Sequence, residues 1–169
     1  MRSPLSLSAR VLNLIVFISA ALCHPPTDIE RAQILEAHLR LREKVYPPAS
    51  NMELMEYSTK LENLANYWAS HCRFAHPDPE RYQHYSGIGQ NIALISGFKP
   101  SLTESVCGWK RGSRLYSYLN NTCSGDCDPY KQMVWANSNE LGCSMWQCDG
   151  LRPDWDNPQY LIVCQYSPG

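Results

Sequence analysis

Eight cysteines and five histidines are the residues of this chain best equipped for chemistry. Cys123-x-x-x-Cys127 and Cys143-x-x-x-x-Cys148 have spacings loosely suited to zinc, but no His-x-x-x-His pair accompanies them. Nucleophilic catalysis needs a nucleophile, a base, an orienting third group and an oxyanion hole. His76 is available as a base, yet no acidic partner or nucleophile can be assigned to it from the sequence. His38 falls on the apolar side of a helical repeat and reads as a hydrogen-bonded core or interface histidine. His71 and His84 read as surface residues. An enzyme is therefore not expected, and the cysteines read as a disulfide framework.

The N-terminus supplies the oxidising compartment such a framework needs. Arg2 and Arg10 precede an uncharged apolar run, Val11 to Leu22, that is short for a bilayer span and fits the core of a signal peptide. Residues 1–23 are expected to be removed, by cleavage after Ala21 or after Cys23, leaving a secreted, extracellular domain over 24–169. About 146 residues suffice for one core and not for two. Loss of Arg2 and Arg10 takes the formal charge from −1 to −3, and no run of five Lys/Arg occurs. Such a surface argues against nucleic acid as a partner. The sequon Asn120-Asn121-Thr122 makes Asn120 a glycan acceptor in a polar stretch.

Helices dominate the first half. Thr27-Asp28-Ile29-Glu30 has the form of a capping box, with Ile34, His38, Leu41 and Val45 following at helical spacing until Pro47-Pro48. Thr59-Lys60-Leu61-Glu62 predicts a second box, and Leu61, Leu64, Ala65, Trp68 and Cys72 form one apolar face behind it. Gly89 to Ile95 reads as a strand. Ser101-Leu102-Thr103-Glu104 opens a third helix running through Trp109 towards Leu115, and a short helix is expected around Tyr130 to Trp135. Tyr116 to Pro129 reads as a loop, and Leu141 to Gln147 and Tyr160 to Tyr166 as the last strands. This order predicts an α+β layered domain rather than a βαβ alternation.

Several motifs fall in one order: Ile34-Leu35-x-x-His38-x-x-x-Arg42, Trp68-Ala69-x-x-Cys72-x-Phe74-x-His76, Gly89-Gln90-Asn91-Ile92, and Tyr130-Lys131-Gln132-Met133-Val134-Trp135. Leu141-Gly142-Cys143 and Tyr160-x-x-Val163-Cys164-Gln165-Tyr166-Ser167-Pro168 close the chain. Together these resemble the CAP superfamily of cysteine-rich secretory proteins, antigen 5 and pathogenesis-related proteins, in the form of single-domain helminth venom-allergen-like members. The extra cysteine-rich C-terminal domain of some members is not expected here. The resemblance implies a three-layer α-β-α sandwich with a small mixed, mainly antiparallel central sheet. It also implies disulfides Cys72 with Cys148, Cys123 with Cys127, and Cys143 with Cys164. Cys107 has no implied partner; it could pair with Cys23, stay free, or bridge two chains into a homodimer.

Members of the family typically carry two histidines and two glutamates in a cleft that holds zinc or another divalent cation in some of them. The matching positions here are His76, Gln90, Gly112 and Pro129, so three of four ligands are lost and no metal or other cofactor is expected. Two other family features remain. The loop beginning Tyr116-Ser117-Tyr118-Leu119 matches a sterol-binding aromatic motif at Tyr116 and Tyr118, with Cys123 at its third aromatic position. A fatty-acid groove between helices would be walled by Ile34, Leu35, Leu41, Val45, Met133 and Val134, although an apolar stripe at this spacing also reads as plain core. The expected function is metal-independent binding of a sterol or fatty acid. The alternatives are an extracellular module that engages a host immune protein or protease, and, last, a His76-dependent hydrolase.

Overall fold

The computed structural model describes residues 25–169; the signal-peptide reading and Cys23 lie outside them. Helix α1 spans Asp28–Arg42 and starts on the expected capping box, in which Thr27 and Glu30 satisfy each other's backbone N–H groups. It ends before the prolines, at Glu43, so Val45 lies in the segment after the helix and not on it. Helix α2, Thr59–Ser70, begins without the second box: Ser58 occupies the cap position and its side chain makes no cap bond. Glu62 accepts instead from Arg31 through Nε at 2.8 Å and Nη2 at 2.9 Å, and from the Tyr57 hydroxyl at 2.8 Å. A two-point guanidinium–carboxylate pair is stronger than one bond to a neutral backbone N–H.

Four strands form the main sheet: β1 (Glu56–Tyr57), β2 (Gly89–Ser96), β5 (Glu140–Gln147) and β6 (Gln159–Ser167), in the order β1-β5-β6-β2. Only β1 and β5 run parallel. Two residues are too few to show a period, which is why β1 left no signal in the sequence. The stretch expected to be a plain loop contains a small hairpin, β3 (Tyr116–Ser117) with β4 (Thr122–Cys123). Helix α3, Leu102–Gly108, is shorter than expected and passes into a 3-10 segment over Trp109–Arg114. Helix α4, Asp128–Met133, starts two residues early, with Pro129 in its first turn, where a missing N–H has no consequence.

Alternation along β6 builds the layers. Tyr160, Ile162, Cys164 and Tyr166 pack with Ile34, Leu41, Val106 and Met133 on one face, while Leu161 and Val163 pack with Ala65, Trp68 and Tyr85 on the other. The mixed sheet thus lies between α2 and the other helices, as the expected sandwich requires. Helix α2 sits directly on β5 at Gly142, where a Cβ would lie 2.1 Å from the Glu62 amide nitrogen. Disulfide Cys72–Cys148 ties the turn after α2 to the residue just past β5, Cys143–Cys164 joins facing residues of β5 and β6, and Cys123–Cys127 ties β4 to the start of α4. Cys107 is exposed and forms no disulfide with any described cysteine.

Candidate functional site

Two clefts open on either side of α4, and each collects residues singled out in the sequence. The first, of about 590 Å³, lies between the segment after α2, the start of β2 and α4. His76, Gln90 and Pro129 line it, with Phe74, Asn91 and Gln132 beside them. His76 Nδ1 and Gln90 Oε1 are 3.0 Å apart, and a neutral amide oxygen in that place can only accept, so Nδ1 carries the hydrogen. No hydroxyl or thiol is hydrogen-bonded to His76 among the described residues, so geometry supplies no nucleophile–base pair there.

These residues do not fit a divalent cation. His76 offers one free imidazole nitrogen, and Gln90 turns its oxygen to His76. The Pro129 carbonyl accepts from Asn91 Nδ2 at 2.9 Å. Gly112 is buried outside the cleft lining, and a Cβ there would lie 2.8 Å from Tyr130 Cβ and 3.1 Å from Cys127 Cα. The backbone has closed over the position, so it lacks room for a ligand as well as a side chain. One described trio of potential ligands, Cys123, Cys127 and Asp128, comes close together, but its two sulfurs are bonded to each other.

The second cleft, of about 480 Å³, lies between the segment after α1, the β3–β4 hairpin and α4. It unites parts of both lipid-binding expectations: Tyr116 and Tyr118 from the loop, Val45 and Val134 from the groove. Tyr116 is held by its hydroxyl, which donates to Asn121 Oδ1 at 3.2 Å, and by a tilted ring contact with Tyr130 at 6.0 Å. Tyr118 is 62 % exposed and Trp135, on the far wall, 51 % exposed. Lys131 Nζ lies 6.0 Å from the Tyr116 ring centroid.

The other residues of the expected groove line neither cleft. Ile34, Leu41 and Met133 are buried core, and Leu35 packs against it, because the sheet and α3 already fill the space beneath α1. Leu119 stands 91 % exposed at the hairpin tip and lines neither cleft, beside an exposed Asn120. Lys44, Tyr46, Met52 and Trp135 were missed in the second cleft. Pro47-Pro48 marks this stretch in the sequence as the stop of a helix, and nothing there signals that it walls a cleft.

A buried chain of hydrogen bonds connects α1 to the first cleft. His38 Nδ1 lies 2.8 Å from the Ile34 carbonyl, so it donates, and Nε2 accepts from the Tyr166 hydroxyl at 3.0 Å. The Tyr166 oxygen accepts in turn from Asn91 Nδ2 at 3.3 Å, which also donates to Pro129. Burial pushes His38 down to about 4, keeping the ring neutral. Arg42, also buried, donates to the carbonyls of Met133, Trp135, Ala136 and Glu53, fixing the end of α4 and the wall it supplies.

Comparison with known proteins matches residues 35–166 to the model of the cysteine-rich secretory protein family, CAP. The human protein named peptidase inhibitor R3HDML is 35 % identical over 147 residues, covering 79 % of this chain and 56 % of its own length. The chain spans about half the length of that relative. Among solved structures, Schistosoma mansoni venom allergen-like protein 4 superposes with a TM-score of 0.67 at 29 % identity, over 85 % of this chain and 90 % of its own. NaASP2, crystallised with Zn2+, gives 0.65 at 26 % identity, over 86 % and 82 %. The chain belongs to the cysteine-rich secretory protein, or CAP, family.

Proposed function

We propose that this is an extracellular, non-enzymatic CAP protein that binds a molecule with an apolar body and one polar head, a sterol or a fatty acid, without a metal ion. The observation that carries the reading is the meeting of Tyr116, Tyr118, Val45 and Val134 around one cleft of about 480 Å³. Such a volume falls within the ~300–1,000 Å³ typical of small-molecule pockets. Tyrosine supplies an apolar face with a hydroxyl at its tip, and Lys44 and Lys131 offer cations for a carboxylate head. The polar cleft gives no support to metal or hydrolytic chemistry, since three of its four family ligand positions carry no suitable donor.

The test is a titration of delipidated, disulfide-intact protein with labelled cholesterol and labelled palmitate, with and without a chelator. Saturable binding unchanged by the chelator is expected, weakened by Tyr118→Ala and by filling the cleft with Val134→Trp. Lys131→Ala should weaken palmitate more than cholesterol. No binding of either lipid by folded protein rejects the reading.

A second reading, a module that engages another protein, is favoured by the relatives named peptidase inhibitors. A saturable protein partner that survives delipidation would support it.

A further inference from the structure

We propose that the outer edge of β2 receives an extended peptide bearing a basic residue, which joins the sheet as a fifth strand and sets side chains into the polar cleft. The proposal names a surface for the protein-interaction reading and rests on it.

Strand β2 is an edge, paired only with β6. Its register holds over eight consecutive pairs, from Gly89 opposite Tyr166 to Ser96 opposite Gln159, without a bulge. At the end of this ladder the Gly97 amide donates to the carbonyl of its facing residue, Pro158, at 2.9 Å. Backbone bonding alternates along an antiparallel pair. Gly89, Asn91, Ala93 and Ile95 therefore turn their backbone groups to β6, and Gln90, Ile92, Leu94 and Ser96 turn theirs outward. The bond from the Cys148 amide to the Gln159 carbonyl agrees, since it assigns the intervening residues of β6 to β5. Among the described residues, no hydrogen bond reaches the outward N–H and C=O groups of those four β2 residues.

Exposed edges are normally blunted by lysine, proline, a bulge or a covering element. The run Gly89-Gln90-Asn91-Ile92-Ala93-Leu94-Ile95-Ser96 has no charge and no proline. At roughly 3.3 Å per residue it offers a template of about 26 Å. Its first part is also a wall of the 590 Å³ cleft, through Gln90, Asn91 and Ile92. Gln90 Nε2 is buried there with no partner among the described residues, a donor facing no acceptor. Phe74 and Trp135, both partly exposed, supply apolar surface in the same cleft.

Charge selects the peptide. Asp126 and Asp128 line the cleft with Lys131 as its one lysine; Lys131 pairs with Asp128 at 3.7 Å. Asp126 has no ion-pair partner among the described residues, which leaves a negative site for a lysine or arginine of the peptide. A strand fits this geometry better than a second copy of the chain, because the cleft walls rise beside the edge and admit side chains rather than another domain.

The experiment selects binders from a random twelve-residue phage-displayed library on the disulfide-intact protein, then studies a synthetic winner. The expected peptide carries a basic residue, and on binding the amides of Ile92 and Leu94 gain protection from hydrogen exchange. N-methylation of alternate peptide positions should raise Kd at least tenfold, and methylation of the intervening ones less than twofold. Leu94→Pro removes an outward N–H without touching the ladder to β6 and should raise Kd at least tenfold. Ser96→Pro repeats the test should Leu94→Pro fail to fold, and Asp126→Asn should weaken the peptide several-fold. Failure to enrich any peptide, an N-methyl scan without alternation, or β2-mediated dimerisation in place of peptide binding overturns the proposal. A partner bound equally by the proline variants also overturns it, while leaving the protein-interaction reading standing.

Discussion

The imidazole Nε2 of His38 lies 3.0 Å from the hydroxyl of Tyr166, and both side chains are fully buried. Each link of their chain runs one way: His38 donates to Ile34, Tyr166 to His38, and Asn91 to Tyr166 and Pro129. Protonating the ring would set an Nε2–H against Tyr166, whose proton would then have no acceptor. Burial of the ring, with the nearby Arg42 charge, holds His38 at about 4 in the folded state, against an ordinary value of 6.5.

The sign of the resulting pH dependence follows. Between pH 4 and 6.5 the unfolded chain binds a proton at His38 and the folded chain does not, so stability rises with pH in that window. The contribution is complete above about pH 6.5 and is lost as pH falls towards 4. Urea unfolding at pH 7.5 and pH 5 should differ by about 2 kcal/mol, at roughly 1.4 kcal/mol per pH unit. His38→Gln should remove that part of the slope. An unchanged slope in the variant would place the titration elsewhere.

Arg42 is the second buried group with a defined consequence. Its guanidinium reaches four backbone carbonyls and no carboxylate, and burial pushes its pKa down. Lysine keeps the charge but gathers its donors at one point, so it cannot span carbonyls on two segments. Arg42→Lys should cost about 2–4 kcal/mol in urea unfolding. It should also weaken lipid binding, because Trp135 and Ala136 form part of the second cleft. Full stability in the lysine variant would show that the fork is dispensable.

Much of this fold was legible because it rests on local signals. The α1 capping box, the helical spacing on α2 and the strand expected over Tyr160 to Tyr166 all survive in the structure. Failures came where tertiary partners won. Glu62 was read as a capping residue because Thr59 stands three positions before it, yet Arg31, 31 residues away in sequence, takes it. The groove through Ile34 and Met133 is implied by the resemblance alone, while their helical spacing fits plain core equally well, and the core is where both side chains lie. The site was half legible: the tyrosines of the loop carried a pattern, but Tyr46 and Trp135 join them only through the turn after α1 and the end of α4.

Gly142 tests the closest helix–sheet approach. A Cβ there would fall 2.1 Å from the Glu62 amide nitrogen and 2.5 Å from the Ser58 carbonyl oxygen. Both are backbone atoms, so relief requires α2 to move as a body. Gly142→Ala should destabilise by at least about 3 kcal/mol, at the upper end of overpacking costs. Gly150, with open space around its missing Cβ but φ +75°, should lose far less on the same change. Thermal melts of the two variants, measured side by side, separate steric crowding from backbone strain; equal losses would refute the close approach.

Metal addition distinguishes loss of ligands from loss of space. Zinc or a chelator should leave the melting temperature of the natural protein unchanged, since His76 provides one free imidazole nitrogen in the cleft. Gln90→Glu together with Pro129→His supplies a carboxylate and a second imidazole on residues that already line it. That pair should confer zinc-dependent stabilisation, about 2.7 kcal/mol at a hundredfold excess over Kd. Gly112→Glu should not help, because its Cβ would meet Tyr130 and the Cys127 backbone before its carboxylate reached the cleft. Isothermal titration of zinc into the three proteins decides the matter. Tight, stoichiometric binding by the natural chain would show that other residues complete the site, and a gain from Gly112→Glu would show that the backbone can open to restore it.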